Sequence, residues 1–498
     1  MQSGSFKKLF SDTMIYGMSS IVGRFLNYLL VPLYTYKIAA ATGGYGVITN
    51  VYAYTALLLV MLTFGMETTF FYFANRERDR WHEVFSTAAW MVGLVAVAFV
   101  TLCFVFISPI SSALGYENHP EYIRVMASVV ALDAFQSIFF ARLRFEGRAW
   151  KFASLKLFFI IFNIGLNLFA FLVLPTLGQP DGFWQSWSAR VGQVGMVFLI
   201  NLVCTSVVTL GFLPELRDMR RGIDRTLMLP MLRYTWPLLL LGIAGILNQV
   251  ADKIVFRFIV PGAEGEVQLG IYGACVKIAM IMAIITQAFR YAYEPFVFGG
   301  SRDKNSSESQ ALVMKYFVVF TLAAFVVVVC YIDVFRYLVN ADYWDGLRAV
   351  PIVMIAEIFM GVYFNLSFWY KLSGETYWGA IMSAIGCVVL LAVNIVFVPR
   401  YGYMACAWGG VAGYGVCMVM SYVLGQRKGP VPYPVKAIAG YFLLAMVLYG
   451  CTLLVQGLPV GWRIAVGTML VVVYLAVVAY CERALVGQAV GRLVRRRG

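Results

Sequence analysis

Charged side chains are scarce in this sequence of 498 residues. Aspartate, glutamate, lysine and arginine make up 13% of it, whereas hydrophobic residues make up 61%. That charged share is about half the share in a soluble domain. A soluble core could not hide so much apolar surface, but a lipid bilayer can. The composition therefore predicts an integral membrane protein.

Motifs for metals, disulfides and cofactors are also missing. The sequence has two histidines, His82 and His119, and nine cysteines without a Cys-x-x-Cys pair. We therefore expect no metal site, no disulfide framework and no cofactor. No small-residue cleavage site follows the first apolar stretch, which favours a retained helix over a signal peptide. The net charge of +14 does not indicate nucleic-acid binding, because the basic residues form no face with interleaved aromatic side chains.

Fourteen hydrophobic stretches are each long enough to cross a bilayer as a helix, which takes about 20 residues. They lie near residues 11–36, 45–73, 84–108, 121–141, 152–174, 185–211, 230–260, 268–298, 309–331, 345–370, 376–398, 402–425, 434–456 and 461–482. The connections between them are short and leave no room for a soluble domain. The sequence thus predicts an all-α integral membrane protein with about 14 transmembrane helices.

Lysine and arginine concentrate in alternate loops. About 24 of them fall in one set of loops and the tail, and four fall in the opposite set. This bias places the first set in the cytoplasm. An even number of helices then places both termini in the cytoplasm. The basic tail over 483–498 is interpreted as a topology anchor, with contact to anionic lipid headgroups as the alternative.

Four separate segments recur at a fixed offset of 227 positions, a sign of internal repetition. The matches are Tyr45-Gly46 with Tyr272-Gly273, Glu67 with Glu294, Arg144-x-x-Gly147-x-x-Trp150 with Lys371-x-x-Gly374-x-x-Tyr377, and Asn167 with Asn394. Because the offset spans six helices, an even number, both copies enter the membrane in the same direction. Two parallel six-helix repeats could enclose a central cavity and rock to give alternating access.

This repeat divides the chain into five predicted regions. An N-terminal six-helix lobe occupies 1–211, and a cytoplasmic linker occupies 212–229. A C-terminal six-helix lobe follows over 230–425. Two additional helices at 434–482 lie outside the repeat and precede the basic cytoplasmic tail at 483–498.

Ionisable side chains at membrane depth cost roughly 2.5–3.5 kcal/mol to insert, which makes each one a functional hypothesis. Six cations could bind an anionic substrate: Arg24, Arg190, Lys253, Arg257, Lys277 and Arg290. Asp252 and Lys253 are adjacent and are expected to point in different directions. Lys253 and Arg257 are four residues apart and share a helix face, which could present two positive charges together.

Simpler roles remain open for three of these cations. Arg190 and Arg257 lie near the outer ends of their helices and could extend to the interface instead. Arg290 is four residues from Glu294, a spacing that also suits a structural ion pair.

The carboxylates and prolines suggest coupling and gating. Asp133 and Glu357 have no basic residue three or four positions away in their helices, so they are candidates for binding a coupling proton or cation. Glu67 and Glu294 are related by the repeat and are interpreted as structural or gating positions. Three prolines within or near the ends of helices are further gating candidates, with a fixed kink as the alternative: Pro32, Pro237 and Pro295.

Short motifs spread over most of the chain carry a family resemblance. They are Arg24-Phe-Leu-Asn-Tyr-Leu-Leu-Val-Pro32, Tyr45-Gly46, Asp252-Lys253-Ile-Val, Leu269-Gly-Ile-Tyr-Gly273, Glu294-Pro295-Phe296, Asn394 and Pro399-Arg-Tyr-Gly402. With these motifs the chain resembles the polysaccharide transporter, or O-antigen flippase, family of the multidrug/oligosaccharidyl-lipid/polysaccharide exporter superfamily. The resemblance implies two six-helix lobes that form a V-shaped bundle, and a transporter rather than an enzyme.

The resemblance further implies a flippase of the bacterial cytoplasmic (inner) membrane. Such a protein moves an undecaprenyl-pyrophosphate-linked oligosaccharide from the inner to the outer leaflet by alternating access, and coupling to a proton or sodium gradient stays open. The expected partners are this lipid-linked substrate, membrane lipids and other glycan-assembly membrane proteins. Arginine and lysine suit its pyrophosphate.

Three alternatives remain open. A lipid II flippase and a drug/cation antiporter belong to the same superfamily. A membrane glycan polymerase or ligase is less favoured, because the outer loops are short and poor in ionisable groups.

Overall fold

The structure is a computed structural model that describes residues 22, 26, 28–176, 183–300 and 306–483. For residues 183–185, 291, 292, 294–300 and 306 it describes the backbone only. Every regular element in these ranges is helical. The all-helical membrane fold predicted from the sequence is thereby confirmed.

The helices of the first half are named α1 to α9 in chain order. They are α1 (Leu30–Lys37), α2 (Gly44–Thr63), α3 (Met66–Arg76), α4 (Trp81–Val105), α5 (Ile107–Ala113), α6 (Pro120–Phe145), α7 (Ala149–Leu168), α8 (Phe183–Leu210) and α9 (Leu213–Leu216). A π-helical segment, Phe169–Val173, and a 3₁₀ segment, Leu174–Thr176, extend α7. Further 3₁₀ segments are Ala40–Thr42, Arg78–Arg80 and Arg217–Arg221.

The second half contributes eleven more helices. They are α10 (Arg225–Ile259), α11 (Ala263–Ala279), α12 (Ile281–Gly300), α13 (Ser306–Cys330), α14 (Ile332–Phe335), α15 (Val350–Leu366), α16 (Phe368–Leu372), α17 (Tyr377–Tyr401), α18 (Tyr403–Lys428), α19 (Val435–Leu454) and α20 (Val460–Cys481). The 3₁₀ segments Arg336–Leu338 and Ala341–Ala349 precede α15.

The described residues contain twelve helical spans long and apolar enough to cross a membrane, and a thirteenth if α11 and α12 form one span. Those two helices are bent by 43° at the break between them. The stretch near 268–298, expected as one helix, is therefore two. The expected first span near 11–36 lies mostly outside the described residues, and α1 is its described end. The twelve or thirteen spans of the described residues correspond to the predicted stretches that follow this first one.

A second break separates α2 from α3. Phe64 and Gly65 have φ angles of 35° and 75°, in the left-handed region that favours glycine. A side chain at Gly65 would also lie 2.7 Å from Cβ of Leu238 on α10. The break therefore lets the first half of the chain approach α10 closely at this level.

The two halves also meet where α2 crosses α11. A Cβ atom on Gly46 would lie 1.9 Å from the carbonyl oxygen of Glu266, and one on Gly273 would lie 2.4 Å from Oγ1 of Thr49. Gly46 and Gly273 are the residues matched by the 227-residue offset. Because neither position has room for a side chain, the two helices pack backbone to backbone at this crossing.

The segment between α8 and α10 is fastened to the first half of the chain. Glu215 is buried and accepts hydrogen bonds from Arg148 (2.8 Å) and Lys151 (2.7 Å). Asp218 pairs with Arg142 at 2.5 Å. Asp224 caps α10 by accepting from the amide and hydroxyl of Thr226, and these bonds hold the pKa of Asp224 below its ordinary value.

Loss of Glu215 is expected to destabilise this fastening. Glu215 is 2% exposed, and its removal leaves Arg148 and Lys151 without their shared carboxylate. We expect Glu215→Ala to lower the free energy of unfolding by about 2–3 kcal/mol, measured by thermal or denaturant unfolding in detergent. Glu375→Ala is the matched control, because its ion pair with Lys428 is exposed and is expected to contribute less than about 1 kcal/mol. Equal losses in the two variants would contradict this expectation.

The last two helices pack against α13. The hydroxyl of Tyr474 on α20 donates to the carbonyl of Val319 at 3.0 Å. At one end of α20, Glu482 pairs with Lys315 at 2.5 Å and accepts from Tyr441 of α19 at 2.7 Å. The final helix pair therefore lies on the outside of the second half of the chain.

Candidate functional site

A cavity of about 550 Å³ lies between the two halves of the chain. The first half contributes wall residues from α1, α2, α7 and α8. The second half contributes residues from α10, α11, α12, α15, α17 and α18. Because both halves form its wall, the cavity would change shape if the two halves moved relative to each other.

Among the described residues, four charged ones line this cavity: Asp252, Lys253, Lys277 and Glu357. Nζ of Lys253 lies 2.9 and 3.0 Å from the two carboxylate oxygens of Asp252. The hydroxyl of Tyr272 also donates to Asp252, at 3.0 Å. The expectation that Asp252 and Lys253 point in different directions is therefore not met, because the long lysine side chain reaches back over its neighbour.

Lys277 and Glu357 are less engaged than this pair. Among the described residues none forms a hydrogen bond or ion pair with Lys277, which lies in the last turn of α11. The negative end of the helix dipole favours a cation there. Oε2 of Glu357 is buried and has no hydrogen-bond partner in the described part of the chain. Lys253 acts electrostatically on both side chains.

Uncharged polar groups line the rest of the cavity. Tyr34 donates to Asn167 at 2.9 Å, although Asn167 itself lies behind the wall. Asn201 donates to the hydroxyl of Tyr52. Asn248 donates to the carbonyl of Ser383 at 2.6 Å. The lining thus combines hydroxyl and amide groups, which can bind sugar hydroxyls, with two lysines, which can bind phosphate.

Sequence comparisons and structural comparisons differ in what they find. No protein-family model matches the chain, and no curated protein matches it. Among solved structures, the lipid II flippase MurJ in an inward closed conformation has a TM-score of 0.71 at 13% identity, over 95% of this chain and 100% of that one. An inward-facing MATE family multidrug resistance transporter of the MOP superfamily has a TM-score of 0.64 at 16% identity, over 84% and 96%. The chain has the fold of these transporters.

Of the other predicted cations, the three that the structure describes are not in the cavity wall: Arg190, Arg257 and Arg290. Arg257 pairs with Glu266 at 2.7 Å, donates to the carbonyl of Gly115 at 2.7 Å and lies 3.7 Å from the ring centre of Tyr116. It therefore does not join Lys253 as a second charge in the cavity, although the two share a helix.

Three further cations were expected at a binding site. Arg190 is exposed on α8, two residues before a left-handed break at Gly192. Arg290 on α12 lies 4.4 Å from the ring centre of Phe364. Arg24 lies outside the described residues. The substrate-binding roles predicted for all of these residues stay predictions.

The predicted coupling residues lie in different places. Glu357 is in the cavity wall, whereas Asp133 on α6 lies outside it, with Oγ1 of Thr205 at 3.4 Å. Asp133 also interacts electrostatically with Lys156 on α7, a residue that the sequence reasoning missed. Lys156 falls within the predicted span 152–174, so its position in a hydrophobic stretch was the signal that could have identified it.

The predicted gating residues have structural surroundings. Glu67 on α3 pairs with Arg144 at the end of α6, at 2.7 Å. Pro32 lies in the first turn of α1, and Pro237 lies inside α10. The side chains of Glu294 and Pro295 lie outside the described residues. The structural or gating roles of these residues stay predictions.

Proposed function

We propose that this protein is a flippase that translocates an undecaprenyl-pyrophosphate-linked oligosaccharide from the inner to the outer leaflet of a bacterial cytoplasmic membrane by alternating access. The observation that carries the proposal is the cavity between the two halves, with Lys277 in its wall and no carboxylate bound to it in the described part of the chain. The fold shared with transporters supports the same class of function.

The two lysines of the cavity would bind a diphosphate in different ways. Lys277 can bind phosphate oxygens directly. Lys253 would have to exchange the carboxylate of Asp252 for phosphate, which is possible because both are acceptors of similar strength for an ammonium group. The buried Asp252 would then keep its bond from Tyr272. Binding of the anion is therefore coupled to breaking an internal ion pair.

The sequence predicts an excess of positive charge in the cavity, whereas the described wall contains two lysines and two carboxylates. This balance weakens the charge argument against a drug/cation antiporter. Two observations still favour a lipid-linked substrate. The helices α19 and α20 follow the two halves of the chain, and the lipid II flippase structure matches over nearly the whole chain. Lipid II transport is the second candidate, since lipid II also carries a glycan on a polyprenyl diphosphate.

Coupling to an ion gradient forms the second part of the proposal. Glu357 is the better placed carboxylate, because it lies in the cavity wall near Lys253 and its Oε2 is unbonded in the described structure. Protonation of Glu357 would remove a negative charge that repels the substrate diphosphate. Asp133 is the alternative coupling residue, at a distance from the cavity.

The test is transport by the purified protein in proteoliposomes, with mass spectrometry of the lipid that co-purifies. Three substrates are offered: an undecaprenyl-pyrophosphate oligosaccharide, lipid II and a cationic dye. We expect movement of the first, with a rate that changes under an imposed proton or sodium gradient and loses that dependence in Glu357→Gln. Movement of the dye alone would refute the flippase proposal, and movement of lipid II alone would select the second candidate.

A further inference from the structure

The segment from Leu213 to Arg225, here called the interlobe linker, has its acidic and basic side chains on opposite sides. Its three acidic side chains all turn toward the first half of the chain. Glu215 binds Arg148 and Lys151, Asp218 binds Arg142, and Asp224 binds Arg80. The acidic charges of the linker are therefore neutralised on its inner side.

The arginines of the same segment behave in the opposite way. All four are exposed: Arg217, Arg220, Arg221 and Arg225. Within the described part of the chain, none of them forms an ion pair or a side-chain hydrogen bond. The three carboxylates of the linker are already paired with residues of the first half. The outer side of the linker therefore carries four uncompensated positive charges.

The contacts of α4 show at which depth these charges lie. Nε1 of Trp90 donates to the linker carbonyl of Met219 at 2.8 Å. Trp90, Leu94 and Val97 form one helix face and are 38%, 52% and 65% exposed. An exposed apolar stripe on a membrane-spanning helix faces lipid, and tryptophan prefers the boundary between hydrocarbon and headgroups. Trp90 therefore places the linker at the headgroup level of the bilayer.

Apolar side chains of the linker extend this surface. Leu213 and Ile223 are exposed at its two ends, beside the arginines. Positive charges next to exposed aliphatic side chains are typical of surfaces that lie in the membrane interface.

We infer that the outer face of the interlobe linker is a docking surface for anionic phospholipid headgroups. The four arginines bind headgroup phosphates, for which the planar guanidinium is well shaped, while Leu213 and Ile223 enter the interface. Because the acidic side of the linker is bonded to α4, α6 and α7, this contact fixes the depth of the first half of the protein. The second half can then move against an anchored partner. This inference does not depend on which substrate is transported.

The experiment compares lipid retention in two variants of the full-length protein. The first carries glutamine at Arg217, Arg220, Arg221 and Arg225. The control carries glutamine at Arg76, Arg78, Arg427 and Lys436, which are also exposed, unpaired in the described structure and on the side predicted to be cytoplasmic. Both variants lose four positive charges. Each is placed in nanodiscs of phosphatidylcholine with a minor fraction of phosphatidylglycerol, and retained phosphatidylglycerol is counted by native mass spectrometry at low and high salt.

We expect the linker variant to lose phosphatidylglycerol at least about fivefold relative to the native protein, the effect of roughly one arginine at a membrane surface, and the control to lose much less. The native enrichment should fall with salt. Equal loss in both variants, or no loss in either, would overturn the inference. The double variant Arg220→Gln with Arg221→Gln serves the same comparison if the fourfold variant does not fold, with Arg76→Gln and Arg78→Gln as its control.

Discussion

Replacing Lys277 by glutamine is expected to reduce transport of the lipid-linked substrate by about ten- to a hundredfold. A charge-assisted hydrogen bond to phosphate contributes about 1.5–3 kcal/mol, and its loss lowers the rate by about this factor. Lys277 is the cavity cation with no internal partner in the described structure, so its loss is not offset by a released carboxylate. Lys253→Gln is expected to have a smaller direct effect on the bound substrate, because Lys253 already pairs with Asp252.

Two variants make this expectation specific. Lys277→Arg keeps the charge and should retain a substantial part of the activity. Lys436→Gln removes an exposed lysine at the start of α19 and should leave transport unchanged. Initial rates in proteoliposomes at several substrate concentrations give the readout, together with the amount of inserted protein. Normal rates for Lys277→Gln would remove the cavity cation from the mechanism.

A single methyl group at Gly46 is expected to prevent the close approach of α2 and α11. Its Cβ would lie 1.9 Å from the carbonyl oxygen of Glu266 and 3.0 Å from the amide nitrogen of Gly270. Both obstacles are backbone atoms, so relief requires the helices to separate rather than a side chain to turn. Overpacking of this kind costs about 1–3 kcal/mol, enough to shift a two-state equilibrium about five- to a hundredfold away from the state with this crossing.

The separation is measurable between spin labels at Thr42 and Glu264, which are exposed near the starts of α2 and α11. Labelling uses a background in which the exposed Cys481 is replaced by serine. We expect longer distances and slower transport for Gly46→Ala than for the native protein. Gly245→Ala on α10 is the matched control, since no atom lies within 4 Å of the added methyl group. Unchanged distances in Gly46→Ala would contradict the backbone-to-backbone packing of α2 and α11.

Some features of the site were accessible from the sequence because they depend on local pattern. The length of each hydrophobic stretch predicts a span, and an ionisable residue inside such a stretch predicts a functional or paired group. Lys253, Lys277 and Glu357 were selected in this way, and all three line the cavity. The same rule applies to Lys156, which lies within the hydrophobic stretch 152–174.

Other features depended on contacts between distant segments. The 227-residue offset matched Gly46 with Gly273, but only the structure shows that both lie at one helix crossing. Arg257 was grouped with Lys253 by helical spacing, whereas Glu266, Gly115 and Tyr116 determine where its guanidinium lies. These three partners come from other elements of the chain, so spacing along α10 could not predict them.

The sequence by itself determined that the chain is helical, that it has about fourteen stretches long enough to cross a membrane, and that rare charges lie within them. These properties follow from the length and composition of hydrophobic stretches, which do not depend on contacts between distant segments. The tertiary structure decided which charges face the cavity, which of them are already paired, and that the linker turns its acids inward and its arginines outward. The physical reason is that the helices are apolar on most of their faces, so neither hydrophobic periodicity nor spacing selects a partner. The packing of neighbouring helices decides whether a buried charge meets a carboxylate, meets a carbonyl or has no partner.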